Sequence, residues 1–300
     1  MHLIGIDLGG TKIEGAIIDP TSHGSALFRT RVPTEATQGY DHILSQVAKL
    51  VDLLRAEFPG EFPEKLGIGT PGTCDPRTGL QRGANTQCLN DRPLKADLER
   101  VLGMEIEIAN DANCFALAEA TLGAADGCET VFGIIMGTGC GGGFVVNRRI
   151  LNGCHGIAGE WGQIVIEPDG ELSGYGTRGI IETILCGPAL EKYYAKVSGE
   201  PLGLKEIVDR ARAGVDPPAT ATLDRLTDTF ARAVAIIIDT IDPHAIVIGG
   251  GVGNIDELYT QKTRDKISSH IFVPKFEGAL LKPTLGDSAG VFGAAMLVAK

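Results

Sequence analysis

The 300-residue chain has no Gly-Lys pair, which excludes a Walker A phosphate loop. It has no C-x-x-C pair either. Its seven cysteines (Cys74, Cys88, Cys114, Cys128, Cys140, Cys154, Cys186) are odd in number and scattered, so a disulfide framework is not expected and a reducing compartment is. Long apolar runs are missing, and the longest, 233–238, is far too short to cross a bilayer. The opening Leu3-Ile4-Gly5-Ile6 runs into Asp7, where a secretory segment would stay apolar. Cytoplasmic localisation and no membrane partner are the expectation. Basic residues are in deficit, 27 Lys and Arg against 38 Asp and Glu, and the resulting net charge of -11 argues against nucleic acid as a partner. Glycine is plentiful, at 41 residues against 15 prolines, and much of it clusters after apolar runs.

Residues 3–6 and 13–18 read as strands joined by Leu8-Gly9-Gly10-Thr11, and 26–32 as a third strand. Apolar residues at helical spacing (Ile43, Val47, Leu50, Val51, Leu54) predict a helix over 40–58. Short apolar runs at 65–69 and 105–108 precede loops, and 112–122 reads as a helix. This alternation is that of an α/β fold. A second series begins at Thr130 and repeats the first. Laid without gaps over 131–147, residues 3–19 put Gly5 on Gly133, Gly9 on Gly137, Gly15 on Gly143 and Ile17-Ile18 on Val145-Val146. Two glycine-rich hairpins can match by chance, but two copies of one lobe facing a shared cleft explain the match better. Further on, a helix over 220–241 ends at Asp242-Pro243, and a strand at 245–248 runs into Gly249-Gly250-Gly251. A strand near 279–281 and a helix over 289–299 close the chain.

In Asp7-Leu8-Gly9-Gly10-Thr11-Lys12 a strand enters a turn whose amides, with the Thr11 hydroxyl and the Lys12 ammonium, can converge on an anion. A plain Gly-Gly hairpin is the simpler alternative, but it has no need of Asp7, Thr11 and Lys12 together. An acidic residue just before such a turn can hold Mg²⁺, directly or through water. Gly137-Thr138-Gly139-Cys140-Gly141-Gly142-Gly143 is the second such turn. It contains G-x-G-x-x-G, as does 67–72, yet neither opens a helix as a dinucleotide fingerprint must: 144–146 continues as strand, and Thr73-Cys74-Asp75-Pro76 reads as a turn. Gly249-Gly250-Gly251 after a buried strand can admit an adenosine. Asp111 opens a helix directly after a strand; Asn110 or Asp111 would serve as its N-cap, and the helix N-terminus favours the ionised carboxylate.

At these residues, and at Gly159-Glu160-Trp161-Gly162 and 289–295, the chain resembles the ROK family of bacterial sugar kinases, within the actin-like, hexokinase-like ATPases. The likeness runs over nearly the whole length. It implies two RNase H-like lobes around a central cleft, the first from 1–115 plus 285–300 and the second from 116–284, and commonly a homodimer. It implies ATP and Mg²⁺ as cofactors, with Asp7 on the metal and Gly9, Gly10, Thr11, Lys12, Gly137, Thr138, Gly139, Gly249, Gly250 and Gly251 on the nucleotide. The residue matching Asp111 takes the proton from the sugar hydroxyl. Asn85, Asn110, Glu160, Glu182, Gln163 and Gly72 are then the sugar contacts, and Trp161 is read as packing. The stretch 85–94 looks most like the fructokinases and N-acetylglucosamine kinases of the family; the acceptor expected is a free hexose, fructose or glucose, with O6 implied by family analogy, and an N-acetylhexosamine is the alternative.

One departure stands out. Many family members carry one His and three Cys for a structural zinc, and the matching positions here are Gln163, Ser173, Tyr175 and Ile180. These cannot form the tetrahedron of thiolate and imidazole that zinc needs, so no zinc is expected, and Tyr175 and Ile180 are read as core substitutes. Sugar-sensing regulators of the family carry an N-terminal DNA-binding segment, and with a strand read at the very start of the sequence that class is not expected here. An actin-like ATPase without sugar transfer is the other rival; Asn110-Asp111 with Glu160 favours the kinase.

Overall fold

A computed structural model describes residues 2–21 and 24–299. Its strands are β1 (Leu3–Leu8), β2 (Lys12–Ile18), β3 (Ala26–Pro33), β4 (Lys65–Thr70), β5 (Thr73–Cys74), β6 (Gln81–Arg82), β7 (Glu105–Asn110), β8 (Thr130–Met136), β9 (Cys140–Val146), β10 (Arg149–Ile150), β11 (Ala245–Gly249) and β12 (Ala279–Leu281). Its helices are α1 (Tyr40–Glu57), α2 (Leu94–Leu102), α3 (Asp111–Thr121), α4 (Glu182–Leu185), α5 (Gly187–Ser198), α6 (Leu204–Ala213), α7 (Pro217–Ile241), α8 (Gly250–Gly253), α9 (Gln261–Ser268) and α10 (Ala289–Met296).

The chain forms two compact units. The first takes residues up to Gly133, Gly143–Gly159 and everything from Pro283 on; the second takes Ile134–Gly142 and Glu160–Lys282. The sequence reading ends the first lobe at residue 115, whereas the contacts keep all of α3 in the first unit. The cause is close packing between α3 and α10: a Cβ on Gly293 would lie 1.8 Å from the Cys114 carbonyl oxygen.

In the first unit the sheet order is β3-β2-β1-β4-β7. The first three strands form an antiparallel meander, and β4 and β7 run parallel to β1. One face is covered by α1, whose Ile43, Val47, Leu50, Val51 and Leu54 are all buried with Ile4, Ile6, Ile13 and Ile17. On the other face Gly5 and Gly67 are direct cross-strand partners, and together they make a flat patch on which α10 lies. A Cβ at either glycine would drive into the α10 backbone, 2.0 Å from the Val291 oxygen or 1.7 Å from the Ala294 oxygen.

The second sheet has the order β10-β9-β8-β11-β12, the same pattern of third, second and first strands followed by two later ones. The internal repeat is therefore structural. Matched glycines do matched work, since Gly133 and Gly143 admit α3 as Gly5 and Gly15 admit α10 and α1. In the second unit α7 begins at Pro217, earlier than expected, because the Asp216 carboxylate caps the Ala219 N–H at 3.1 Å and proline suits the first helical position. It ends as expected at Asp242, in the left-handed region at φ 49°. The pairs α5·α7, α6·α7 and α7·α9 pack together. Helices α6 and α9 gave no sequence signal, because each buries only two residues, Ile207 and Val208 or Thr263 and Ile267. Two smaller expectations are corrected. Thr73 and Cys74 are strand β5, paired with β6, and the turn begins only at Asp75; the last helix ends at Met296, with 297–299 tightened into shorter turns.

Candidate active site

The candidate residues divide between the units. Asp7, Gly9, Gly10, Thr11, Lys12, Gly72, Asn85, Asn110 and Asp111 belong to the first; Gly137, Thr138, Gly139, Glu160, Gln163, Glu182, Gly249, Gly250 and Gly251 belong to the second.

In the first unit the β1–β2 turn closes through the Gly9 N–H, which donates to the Lys12 oxygen at 3.0 Å. Thr34 fixes the turn from below, its hydroxyl donating to the Gly9 oxygen at 2.6 Å and its N–H to the Thr11 oxygen at 3.0 Å. The Gly9 amide is thus used internally, whereas Gly10, Thr11 and Lys12 are all exposed. The Lys12 ammonium lies 3.4 Å from Glu14, which is only 4% exposed and also receives the Arg29 guanidinium, with Arg31 3.5 Å away. Burial works to raise the pKa of Glu14, but Arg29 and Lys12 outweigh it and hold the carboxyl low.

Asp7 is the opposite case. Burial, then the charges of Asp111 and Glu14, push its pKa up to about 6, with only Lys12 acting against them. Gly290 at the start of α10 leaves room for it, since a Cβ there would sit 3.0 Å from Asp7 Oδ2. A desolvated carboxylate beside two others suits a hard divalent cation that completes its shell with water and phosphate oxygens. Among the described residues no cluster of three or more His, Cys, Asp or Glu could hold a metal by itself.

Asn110 is the N-cap of α3: its Oδ1 accepts from the Asn113 N–H at 2.7 Å. This leaves its Nδ2 as the group it can offer. Asp111 takes the first helical position and accepts from the Ala112 N–H at 2.8 Å through Oδ1. Its side chain is reached by solvent but recessed in protein. Burial raises its pKa and the amides of Ala112 and its own backbone pull it back, with a net rise, so the helix N-terminus only partly offsets the desolvation. Gly72 is required by backbone shape (φ +73°) and by the Arg82 oxygen, 2.3 Å from where a Cβ would be. Asn85 is exposed in a loop that Asn90 clamps, donating to the Ala84 oxygen and accepting from the Ala84 N–H, both at 2.9 Å.

In the second unit the β8–β9 turn closes from the Gly137 N–H to the Gly139 oxygen at 2.9 Å. Glu182, first in α4, accepts from the Cys140 N–H at 3.0 Å, and a Cβ on Gly139 would lie 2.7 Å from the same oxygen. One carboxylate oxygen of Glu182 is therefore bound to the glycine turn. Trp161 is buried, and its indole N–H donates to the Gly141 oxygen at 2.8 Å, which bears out packing over sugar stacking. Gly162 seats the segment, since a Cβ there would meet the Cys140 oxygen at 2.1 Å. Glu160 precedes this one-turn segment and Gln163 ends it. Gly249 ends β11, and Gly250, at φ +82°, passes 2.2 Å from the Met136 oxygen as measured to a built Cβ.

Of the four positions expected to lack zinc ligands, Ile180 is fully buried, as anticipated. Tyr175 is not a core substitute. It is 65% exposed, at the tip of a turn closed by the Ser173 N–H on the Thr177 oxygen at 2.8 Å. Ser173 organises that turn, its hydroxyl accepting from the Tyr175 and Thr177 N–H groups at 3.2 Å each. The excursion is tied to α7 by Glu167, which takes Arg225 at 2.9 Å and Arg232 at 3.2 Å. Sequence reading missed Glu14, Asn90, Asn113 and Glu167. Only Glu14 carried a signal, a lone carboxylate inside the apolar strand Ile13–Ile18.

A family model described as "ROK family" matches residues 3–300. The chain is similar to the N-acetyl-D-glucosamine kinase of Haemophilus influenzae (strain 86-028NP), 35% identical over 98% of each chain. Among solved structures it is similar to the ROK hexokinase from Thermus thermophilus, with a TM-score of 0.87 and 32% identity, covering 99% of this chain and 97% of that one. It is also similar to a ROK family glucokinase from Streptomyces griseus in complex with glucose and AMPPNP, with a TM-score of 0.75, 28% identity and 99% of each chain covered.

Proposed function

The chain belongs to the ROK family and is a sugar kinase, and from that premise we propose that it transfers the terminal phosphoryl group of ATP to O6 of a hexose or its 2-acetamido derivative, with Asp111 as general base. The observation that carries this reading is the arrangement at the start of α3. Asn110 caps the helix and Asp111 follows it, with one carboxylate oxygen fixed by the Ala112 N–H and the other left to accept a proton. The names of the relatives support N-acetyl-D-glucosamine and glucose as acceptors; fructose rests on the likeness of the stretch 85–94 to fructokinases, a stretch that also resembles N-acetylglucosamine kinases.

In this reading Asp111 accepts the proton of the attacking hydroxyl. A carboxylate is a weak base for an alcohol, but the transition state of phosphoryl transfer is loose and the proton leaves late, so position matters more than basicity. Thr11, Lys12 and the 137–139 turn hold charge on the phosphates. Mg²⁺, when bound near Asp7, supplies further charge neutralisation. Asn110 offers Nδ2 to the sugar, and Asn85, Gly72, Glu160, Gln163 and Glu182 orient it. Gly249, Gly250 and Gly251 leave space for the adenosine. We take the working form to be a cytoplasmic homodimer without structural zinc, acting on a free sugar.

The test is ADP release with N-acetyl-D-glucosamine, glucose, fructose, mannose and N-acetylmannosamine as acceptors. Sugar-dependent release with at least one of them is expected. Release at the same rate without any sugar would favour an ATPase instead.

A further inference from the structure

A cavity of about 290 Å³ opens within the first unit beside Asn110. Its lining includes Thr73 and Cys74 of β5, Ile108 and Ala109 of β7, and Asn113 of α3. Asn113 is 3% exposed, and its Oδ1 has no hydrogen-bond partner among the described residues. Its backbone N–H is already used, on the Asn110 cap. A buried amide oxygen left unpaired is costly, and folded proteins keep few of them without a use.

That oxygen is itself buried, against β9. Gly143 lies against it, and a Cβ at that position would come 2.9 Å from Asn113 Oδ1 and 2.7 Å from the Ala112 oxygen. Any other residue at 143 would collide with the amide and with the α3 backbone. Asn113 also stands on the same first turn of α3 as Asp111, two residues on, and shares the cavity wall with Asn110.

We infer that Asn113 is a further substrate-contacting residue, its Oδ1 accepting a hydrogen bond from a donor group of the acceptor sugar that enters this cavity. The inference rests on the proposed kinase reading. The donor can be a ring hydroxyl or the N–H of a 2-acetamido group. For an acetamido group, Ile108, Ala109 and the Cys74 side chain offer an apolar wall for its methyl.

The experiment compares the whole protein with Asn113→Leu and Asn113→Ala, using glucose, 2-deoxyglucose and N-acetyl-D-glucosamine. Loss of one neutral hydrogen bond is expected to raise KM for the responsive sugar about tenfold, with KM for ATP unchanged. Thermal stability of Asn113→Leu should not fall, because the variant removes an unpaired buried polar atom; a merely structural asparagine would lose stability instead. A rise confined to N-acetyl-D-glucosamine identifies the acetamido N–H. A rise for all three sugars identifies a hydroxyl other than that on C2, and a rise for glucose that is absent for 2-deoxyglucose identifies the C2 hydroxyl. Unchanged KM for all three in either folded variant, with the wild type active, overturns the role of Asn113 alone. A wild type that transfers to no sugar overturns the kinase reading and this inference with it.

Discussion

Asp7 on β1 stands directly opposite Glu14 on β2 in the antiparallel register. Like charges facing each other across two strands repel, and the chain answers the repulsion on one side only. Glu14 is surrounded by Lys12, Arg29 and Arg31, whereas among the described residues Asp7 has Lys12 as its compensating charge. Arg29 also donates to Ser288 at 2.6 Å, which ties the pair to the entry of α10.

The stability of the fold should therefore depend on pH through Asp7. Its folded pKa of about 6 lies above the ordinary 3.8, so between these values the folded chain binds more protons than the unfolded one. Stability then falls as pH rises through that window. Asp7→Asn is expected to gain up to about 3 kcal/mol at pH 8, at about 1.4 kcal/mol per pKa unit, and to lose the gain below pH 4. Urea denaturation at both values checks this. A gain that persists at pH 4, or none at pH 8, contradicts it. The same variant should lose activity, because it removes the carboxylate proposed for Mg²⁺.

Glu14 should act on nucleotide binding through Lys12. Lys12→Met and Glu14→Gln are each expected to raise KM for ATP several-fold, and the double variant to be no worse than Lys12→Met, since residues in one ion-pair network are not additive. Additive losses would mean that Glu14 supports only the fold.

The two glutamates of the second unit should separate kinetically. Glu182→Ala frees the Cys140 amide, so KM should rise for both ATP and sugar. Glu160→Ala is expected to raise KM for the sugar alone. Identical profiles for the two variants would contradict the brace seen at Glu182.

Much of this site is legible in the sequence, for identifiable reasons. The repeat is visible because helix backbones approach the hairpins so closely at 5, 133 and 143 that a Cβ there would collide with them, and at 15 a Cβ would press on Leu50 and Leu54. Asp111 is visible because an acidic residue opens a helix immediately after a strand. What stays hidden depends on partners distant in the chain. Glu14 meets Arg29 and Arg31 through strand pairing, Asn113 becomes an orphan only when Gly143 packs against it, and Glu167 finds Arg225 and Arg232 some sixty residues later. Tyr175 was misread because hydrophobic character says nothing of a turn that Ser173 points outward.

Glu167 should do part of what a metal does in such a loop. Chelators are expected to leave the melting temperature unchanged, and Glu167→Ala to cost about 1–2 kcal/mol, the value of two partly exposed ion pairs. A chelator-induced drop in melting temperature would show that a metal holds the loop.

The most direct test of the account is the rate of ADP release by Asp111→Asn at saturating Mg·ATP and the preferred sugar. Loss of the base predicts a fall of about two to four decades in kcat, with nucleotide binding and melting temperature retained. A folded Asp111→Asn enzyme that turns over within a few-fold of the wild type would contradict it.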